Sequence, residues 1–203
     1  LMDLRVFKIR LVKLKERLRD NNIETAIITD EDNVYYLCGY YDYLHMDFGR
    51  PTLLIISVDR EILLITPAID LNTAQEAACV DRISAWNDGM GEEWREELPQ
   101  ILQKSGRIAV EPDQMPPIVK RYLDQEVPSD QLANVTPILS TMRMVKSDEE
   151  LKIARDAGKV ANAMMLAGRE AIGDGVAEYE VAIATSNAGT KKAAEILKND
   201  YQD

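Results

Sequence analysis

Residues 52–66, TLLIISVDREILLIT, carry the clearest structural pattern in this sequence. Two apolar runs rich in β-branched residues are joined at Asp59 and Arg60, which predicts two strands of a hairpin. Neither run alternates between polar and apolar residues. Since a strand with one solvated face would alternate, we expect helices on both faces of the sheet. The stretch therefore predicts a layered α/β fold.

The segments on either side of the hairpin alternate between helical and extended patterns. Upstream, apolar residues at helical spacing predict a helix over 3–20, then a short strand in ETAIIT and a short helix that Gly39 ends. Downstream we expect helices at 68–78, 92–104 and 115–126, and strands at RISAW, RIAVEP and ANVTP. Residues 1–140 are thus predicted to form one α/β domain whose sheet is mixed, because a hairpin is present.

A second region, 141–203, reads as helical. Ser147 and Glu150 make a capping box, in which each side chain bonds the other residue's backbone amide. The pattern predicts one long helix from there to Ile172, a break at GDG, and a second helix over about 177–198. Two helices cannot close a core alone, so their apolar faces require the first domain, another subunit or further sequence.

The composition excludes several classes of protein. The 203 residues are 46% hydrophobic and 29% charged, which is ordinary for a globular chain. No apolar run approaches the roughly 18 residues that cross a bilayer, and the first residues lack signal-peptide features. Two distant cysteines and a single histidine give neither a thiolate zinc site nor a disulfide framework. We therefore expect a cytoplasmic protein with no membrane partner.

The charge is unevenly distributed along the chain. Residues 1–20 carry seven Lys or Arg against three Asp or Glu, so the rest must sum to −15 to give the total of −11. A basic amphipathic helix can lie on a membrane or on nucleic acid, but more often it packs on its own domain. Because an acidic body repels phosphate backbones, we expect no nucleic-acid partner.

The segment STMRMVKSDEELKIARDAGKVANAMM, followed by GDGVAEYEVA, resembles the creatinase/prolidase family, the pita-bread metallohydrolases. In that family an Arg-x-x-Lys-Ser/Thr-x-x-Glu-Ile/Leu motif links an N-terminal α/β domain to the catalytic domain. The matching positions here are Arg143, Lys146, Ser147, Glu150 and Leu151. A following Gly-x-Thr-Glu turn keeps its glutamate but has alanine in place of threonine. The resemblance implies a mixed-sheet, three-layer N-terminal domain followed by two helices of an incomplete pita-bread domain.

The same resemblance gives a function to FGRP, residues 48–51. It is similar to the Phe-Gly-Arg of creatinase-like members, in which this loop of one subunit reaches into the active site of its dimer partner. The match implies that Arg50 pairs with a substrate carboxylate, which suits the planar guanidinium fork, and that Phe48 packs on the substrate. His45 is a weaker candidate for the same site. The resemblance implies a homodimer and a small-molecule or dipeptide substrate.

Purely structural interpretations remain open for these three residues. Arg50, between a glycine and a proline, is also placed to satisfy carbonyl groups in a turn. Phe48 also suits an ordinary core position, and a lone histidine in a turn usually has no further role.

The family's catalytic residues have no match in this chain. The resemblance implies a divalent metal pair, held by two aspartates, a histidine and two glutamates, in the longer protein. Those ligands lie downstream, so we assign no catalytic residue and no metal ligand here. One hypothesis is the N-terminal portion of a creatinase- or Xaa-Pro peptidase-like hydrolase of C–N bonds. The alternative is a self-contained, non-catalytic binding or dimerisation module.

Overall fold

The structure is a computed structural model that describes residues 3–41, 50–87 and 89–197. The chain divides into two compact units, Met2–Met144 and Val145–Asp203.

The first unit is built on a six-stranded mixed sheet with the strand order β4-β3-β2-β1-β5-β6. The β1–β2 and β2–β3 pairs are antiparallel, and the other three pairs are parallel. The predicted hairpin is confirmed, with Leu53 opposite Ile65 and Ile56 opposite Ile62. The strands are β1 (Thr25–Ile28), β2 (Leu53–Ser57), β3 (Ile62–Pro67), β4 (Arg82–Trp86), β5 (Ile108–Val110) and β6 (Leu132–Asn134).

Helices cover both faces of this sheet, as the absence of alternation in the hairpin predicts. The helices are α1 (Leu4–Asp20), α2 (Glu31–Cys38), α3 (Leu71–Ala77), α4 (Leu98–Gln103), α5 (Pro117–Glu126) and α6 (Thr136–Met144). One core cluster joins α1, α2 and α6 to one face, and a second joins α4 and α5 to the other. Leu54 lies in the first cluster and Leu53 in the second, since neighbouring strand residues point to opposite faces. The three-layer α/β prediction is confirmed.

Two elements differ in their bounds from the sequence-based prediction, and one short helix was not predicted. The helix expected at 92–104 is a 3₁₀ turn, Glu93–Arg95, followed by α4, because Pro99 suits only the first turn of a helix. The last strand ends at Asn134, whose side-chain oxygen accepts the Thr136 amide at 2.8 Å and starts α6. No helix was predicted there, because the nine residues of α6 are too few for a decisive periodicity.

The second unit consists of α7 (Asp148–Ala171) and α8 (Glu178–Leu197) over its described part. The predicted capping box is confirmed: Ser147 Oγ accepts the Glu150 amide at 3.3 Å, and Glu150 accepts the Ser147 amide at 2.8 Å. The helices pack closely where Gly189 leaves room for Met164. No residue of α7 is buried, and Met165 and Tyr179 are 74% and 65% exposed. The apolar side chains of these two helices are therefore largely exposed in the described residues.

None of the helices described within 3–41, 50–87 and 89–197 combines the length and apolar character needed to span a membrane.

Candidate functional site at one end of the sheet

Arg50 lies three residues before β2 begins at Leu53, toward the end of the sheet where β3 and β4 finish. The register places Pro67, the last residue of β3, opposite Trp86, the last residue of β4. Trp86 Nε1 donates a hydrogen bond to the Pro51 carbonyl at 3.3 Å. Pro51 is buried and its carbonyl accepts this hydrogen bond, so the backbone next to Arg50 is fixed. Arg50 itself is half-buried. The side chain therefore starts from a rigid point close to solvent.

Three buried hydroxyl groups, those of Tyr40, Thr52 and Thr66, lie close together at this end of the sheet. Thr52 Oγ1, directly before β2, and Thr66 Oγ1 on β3 are 3.1 Å apart, as expected for threonines on neighbouring segments of the sheet. The Tyr40 hydroxyl lies 3.0 Å from the same Thr66 oxygen. All three side chains are almost fully buried. Residues on both sides of segment 41–51 are thus joined through one threonine.

Of the three residues predicted to contact a substrate, Arg50 falls within the described part of the chain. Phe48 and His45 lie outside the described residues, so their substrate contacts stay predictions. The described geometry provides an arginine three residues before a buried strand, next to a proline whose carbonyl is hydrogen-bonded. In general, a guanidinium can pair with a carboxylate through two parallel hydrogen bonds.

A buried charged cluster, absent from the sequence-based prediction, lies elsewhere in the first unit. Glu111 follows β5 and is 1% exposed. Its Oε2 accepts the backbone amides of Thr29 and Asp30 at 2.8 and 2.9 Å. Its Oε1 accepts from Asn33 Nδ2 at 2.6 Å. Burial raises the pKa of Glu111, although these backbone and side-chain hydrogen bonds act in the opposite direction.

Arg143 of the linker motif completes this cluster. Its guanidinium donates to Asn33 Oδ1 at 2.5 Å, so the Asn33 amide bridges a cation and an anion. Asn33 therefore has one productive orientation, with nitrogen toward Glu111 and oxygen toward Arg143. This bond holds α6 to α2 and explains why Arg143 belongs to the first unit. The sequence signal for Glu111 is an acidic residue directly after the fully apolar strand IAV.

Tyr36 on α2 extends the cluster toward α1. The Arg10 guanidinium lies 4.0 Å from the centre of the Tyr36 ring and donates to the Tyr36 carbonyl at 2.8 Å. The Arg143 guanidinium lies 5.6 Å from the same ring. The Tyr36 hydroxyl donates to the Met142 carbonyl at 3.2 Å. Two cations flank one aromatic ring, an arrangement that holds α1, α2 and α6 together.

Over residues 3–41, 50–87 and 89–197, the structure does not present the ligand set of a two-metal hydrolase site. In the described residues, no group of three or more His, Cys, Asp or Glu side chains is arranged to hold a metal ion. The Glu111 carboxylate is already used by two amides and Asn33. Burial also raises the pKa of the Cys38 thiol to about 12, which makes it a poor nucleophile and a poor ligand at neutral pH.

Comparison with known proteins agrees with the α/β unit and with the linker motif. A profile of the Creatinase/Prolidase N-terminal domain matches residues 10–145. The chain belongs to this family. The match ends within the linker motif, one residue after the first unit ends at Met144.

Two sequence relatives extend the similarity beyond that domain. The chain is 27% identical to a creatinase from Bacillus sp. (strain B-0618), over 91% of this chain and 45% of the relative. It is 25% identical to an Xaa-Pro dipeptidase from Lactobacillus helveticus, over 85% of this chain and 47% of the relative. The chain thus spans slightly less than half the length of these relatives.

Solved structures share the fold. The prolidase from Pyrococcus horikoshii OT3 aligns with a TM-score of 0.74 at 21% identity, over 90% of this chain and 48% of the prolidase chain. The Creatinase/Prolidase N-terminal domain of an X-Pro dipeptidase from Streptococcus pyogenes aligns with a TM-score of 0.55 at 24% identity. That alignment covers 66% of this chain and 98% of the domain.

Proposed function

We propose that this chain is the N-terminal portion of a creatinase- or Xaa-Pro peptidase-like hydrolase that cleaves a C–N bond in a small carboxylate substrate. Its own contribution is substrate binding through Arg50 and assembly of a homodimer, while the catalytic residues lie in the remainder of the protein. The observation that carries the proposal is the position of Arg50. What supports this role is that the neighbouring Pro51 carbonyl accepts a hydrogen bond from Trp86 Nε1, while Arg50 is only half-buried.

Two further observations support a longer protein. The chain spans less than half of the creatinase and the dipeptidase that it resembles. The long helix α7 has no buried residue, although it carries Leu151, Ile153, Leu166 and other apolar side chains. Because exposed apolar surface is costly in water, this helix favours a covering domain over a self-contained module. A divalent metal pair, if the enzyme uses one, would then be bound by residues of that domain.

The substrate class follows from the pairing partner that Arg50 requires. Creatine and Xaa-Pro dipeptides, suggested by the names of the two relatives, both carry a carboxylate and a scissile C–N bond. The Phe-Gly-Arg sequence favours creatine-like compounds, with Phe48 packing on the substrate and His45 near it. A guanidino group on the substrate would add a cation for the Phe48 ring.

The test uses the longer protein with creatine and with a series of Xaa-Pro dipeptides. Arg50→Lys keeps the charge but loses the two-pronged pairing, so we expect KM to rise about tenfold or more, with a smaller change in kcat. Arg60→Lys is the matched control, since Arg60 contacts the Lys104 carbonyl at the opposite end of the hairpin. Unchanged KM in Arg50→Lys would refute the substrate-binding role.

Hydrolysis of neither substrate class by the longer protein would favour the alternative, a non-catalytic binding or dimerisation module. Sedimentation analysis of the same protein tests the homodimer. A monomer at the concentrations used for kinetics would contradict it.

A further inference from the structure

The two sides of segment 41–51 share one hydrogen-bonding partner. Tyr40 precedes this segment and Thr52 follows it, and each hydroxyl lies within 3.1 Å of Thr66 Oγ1. Thr66 is fully buried near the end of β3. A threonine hydroxyl donates one hydrogen bond and accepts up to two, so one side chain can serve both neighbours at once.

The position of Thr66 in the sheet explains why it can do this. Antiparallel pairing of β2 and β3 brings Leu53 opposite Ile65, which places Thr52 beside Thr66 at the point where β2 begins. The chain then passes through Pro51, whose carbonyl accepts from Trp86, to Arg50. Arg50 is therefore two residues from the Thr52–Thr66 contact and one residue from the Trp86 contact.

We infer that Thr66 is a positioning residue for Arg50, an inference that rests on the proposed function. By joining Tyr40 to Thr52, its hydroxyl sets the place from which the Arg50 guanidinium reaches the substrate carboxylate. Two parallel hydrogen bonds to the carboxylate form only when the guanidinium is correctly placed. A shift of the guanidinium by about 1 Å therefore removes much of the affinity that a fixed geometry provides. Thr66 itself is fully buried and acts through Arg50.

The chain offers a matched control at the opposite end of β2. Thr25 is also fully buried, and its Oγ1 lies 3.2 Å from Ser57 Oγ and 2.9 Å from Ser105 Oγ. It too is a strand threonine that joins two other hydroxyl groups. Since Ser57 ends β2 and Thr52 precedes its start, Thr25→Val removes an equivalent group far from Arg50.

The experiment compares Thr66→Val, Thr66→Ser and Thr25→Val in the longer protein. Both valine variants keep the side-chain shape and lose the shared hydroxyl, so we expect similar falls in melting temperature. Thr66→Val alone should raise KM about tenfold for the substrate that Arg50 binds, with kcat changed less than about twofold. Thr66→Ser, which retains the hydroxyl, should restore most of the lost affinity.

Amide hydrogen exchange of residues 50–54 in the same proteins gives a second readout that needs no substrate. We expect faster exchange there in Thr66→Val and unchanged exchange in Thr25→Val. Equal KM and equal exchange in the two valine variants would overturn the inference. If Arg50→Lys leaves KM unchanged, the proposed function fails, whereas faster exchange in Thr66→Val would still show that Thr66 fixes the backbone at Arg50. Unchanged amide exchange of residues 50–54 in Thr66→Val would overturn the positioning role of Thr66 as well.

Discussion

Changing Asn33 to aspartate alters one group of the buried cluster while preserving its size. The Asn33 Nδ2 atom donates to Glu111 Oε1 at 2.6 Å, and the Oδ1 atom accepts from Arg143. In Asn33→Asp the acceptor for Arg143 remains, but the donor to Glu111 becomes a second carboxylate oxygen. Two negative oxygens at this distance in a buried site cannot both stay ionised, so the folded variant must bind a proton.

The cost of that proton sets the size of the effect. Holding a proton at pH 7 on a carboxyl whose ordinary pKa is about 4.3 costs up to about 3.7 kcal/mol, at 1.36 kcal/mol per pH unit. The new carboxyl group pairs more closely with Arg143 than the amide does, which offsets about 1 kcal/mol of this cost. We therefore expect Asn33→Asp to lower the free energy of unfolding by about 2–3 kcal/mol at pH 7.

The pH dependence has a definite sign. Burial already raises the pKa of Glu111, and the second carboxylate raises it further. A group whose pKa is higher in the folded state stabilises the fold at low pH, and this contribution is lost as pH rises through the folded pKa. The loss of unfolding free energy in Asn33→Asp should therefore be below about 1 kcal/mol near pH 4.5. This loss should grow with each pH unit toward pH 7.

Urea unfolding, followed by tryptophan fluorescence, measures this difference. Trp86 and Trp94, the two tryptophans of the chain, are both buried in the first unit and report on its unfolding. Asn134→Asp is the matched control, because Asn134 is exposed and only accepts the Thr136 amide at the start of α6. We expect it to change stability by less than about 0.5 kcal/mol. A deficit in Asn33→Asp that is equally large at pH 4.5 and pH 7 would refute the reasoning.

Two further substitutions test local structure in each unit. Gly39 ends α2 with φ of +83°, and an added Cβ would lie 2.8 Å from the Phe7 ring. Gly39→Ala should therefore destabilise the first unit by about 2 kcal/mol or more in the same urea assay, and a change below 0.5 kcal/mol would contradict this account. Ser147→Ala removes half of the capping box of α7 and should cost about 1 kcal/mol of helix stability. Faster amide exchange confined to the first turn of α7 would confirm this loss of helix stability. Unchanged exchange there would argue against a stabilising cap.

Much of the first unit could be predicted because its signals are local. The apolar hairpin at 52–66 predicts strands covered on both faces, and β2 and β3 are buried along their whole lengths. The Ser147–Glu150 capping box could also be predicted, since both partners lie within one turn of helix. The short helix α6 and the 3₁₀ turn near Trp94 were missed, because fewer than three turns give no decisive periodicity.

The candidate site also includes a residue that the sequence indicates and others that only tertiary contacts reveal. The sequence by itself singled out Arg50, through its place between Gly49 and Pro51 and through a resemblance carried by a few neighbouring residues. The roles of Thr66, Glu111 and Asn33 depend on contacts between residues 14 to 110 positions apart. Local propensity and periodicity carry no information about such contacts, which exist only after the strands have paired and the helices have packed. The paired strands and packed helices alone therefore bring Tyr40, Thr52 and Thr66 together and join the linker arginine to α2 in the first unit.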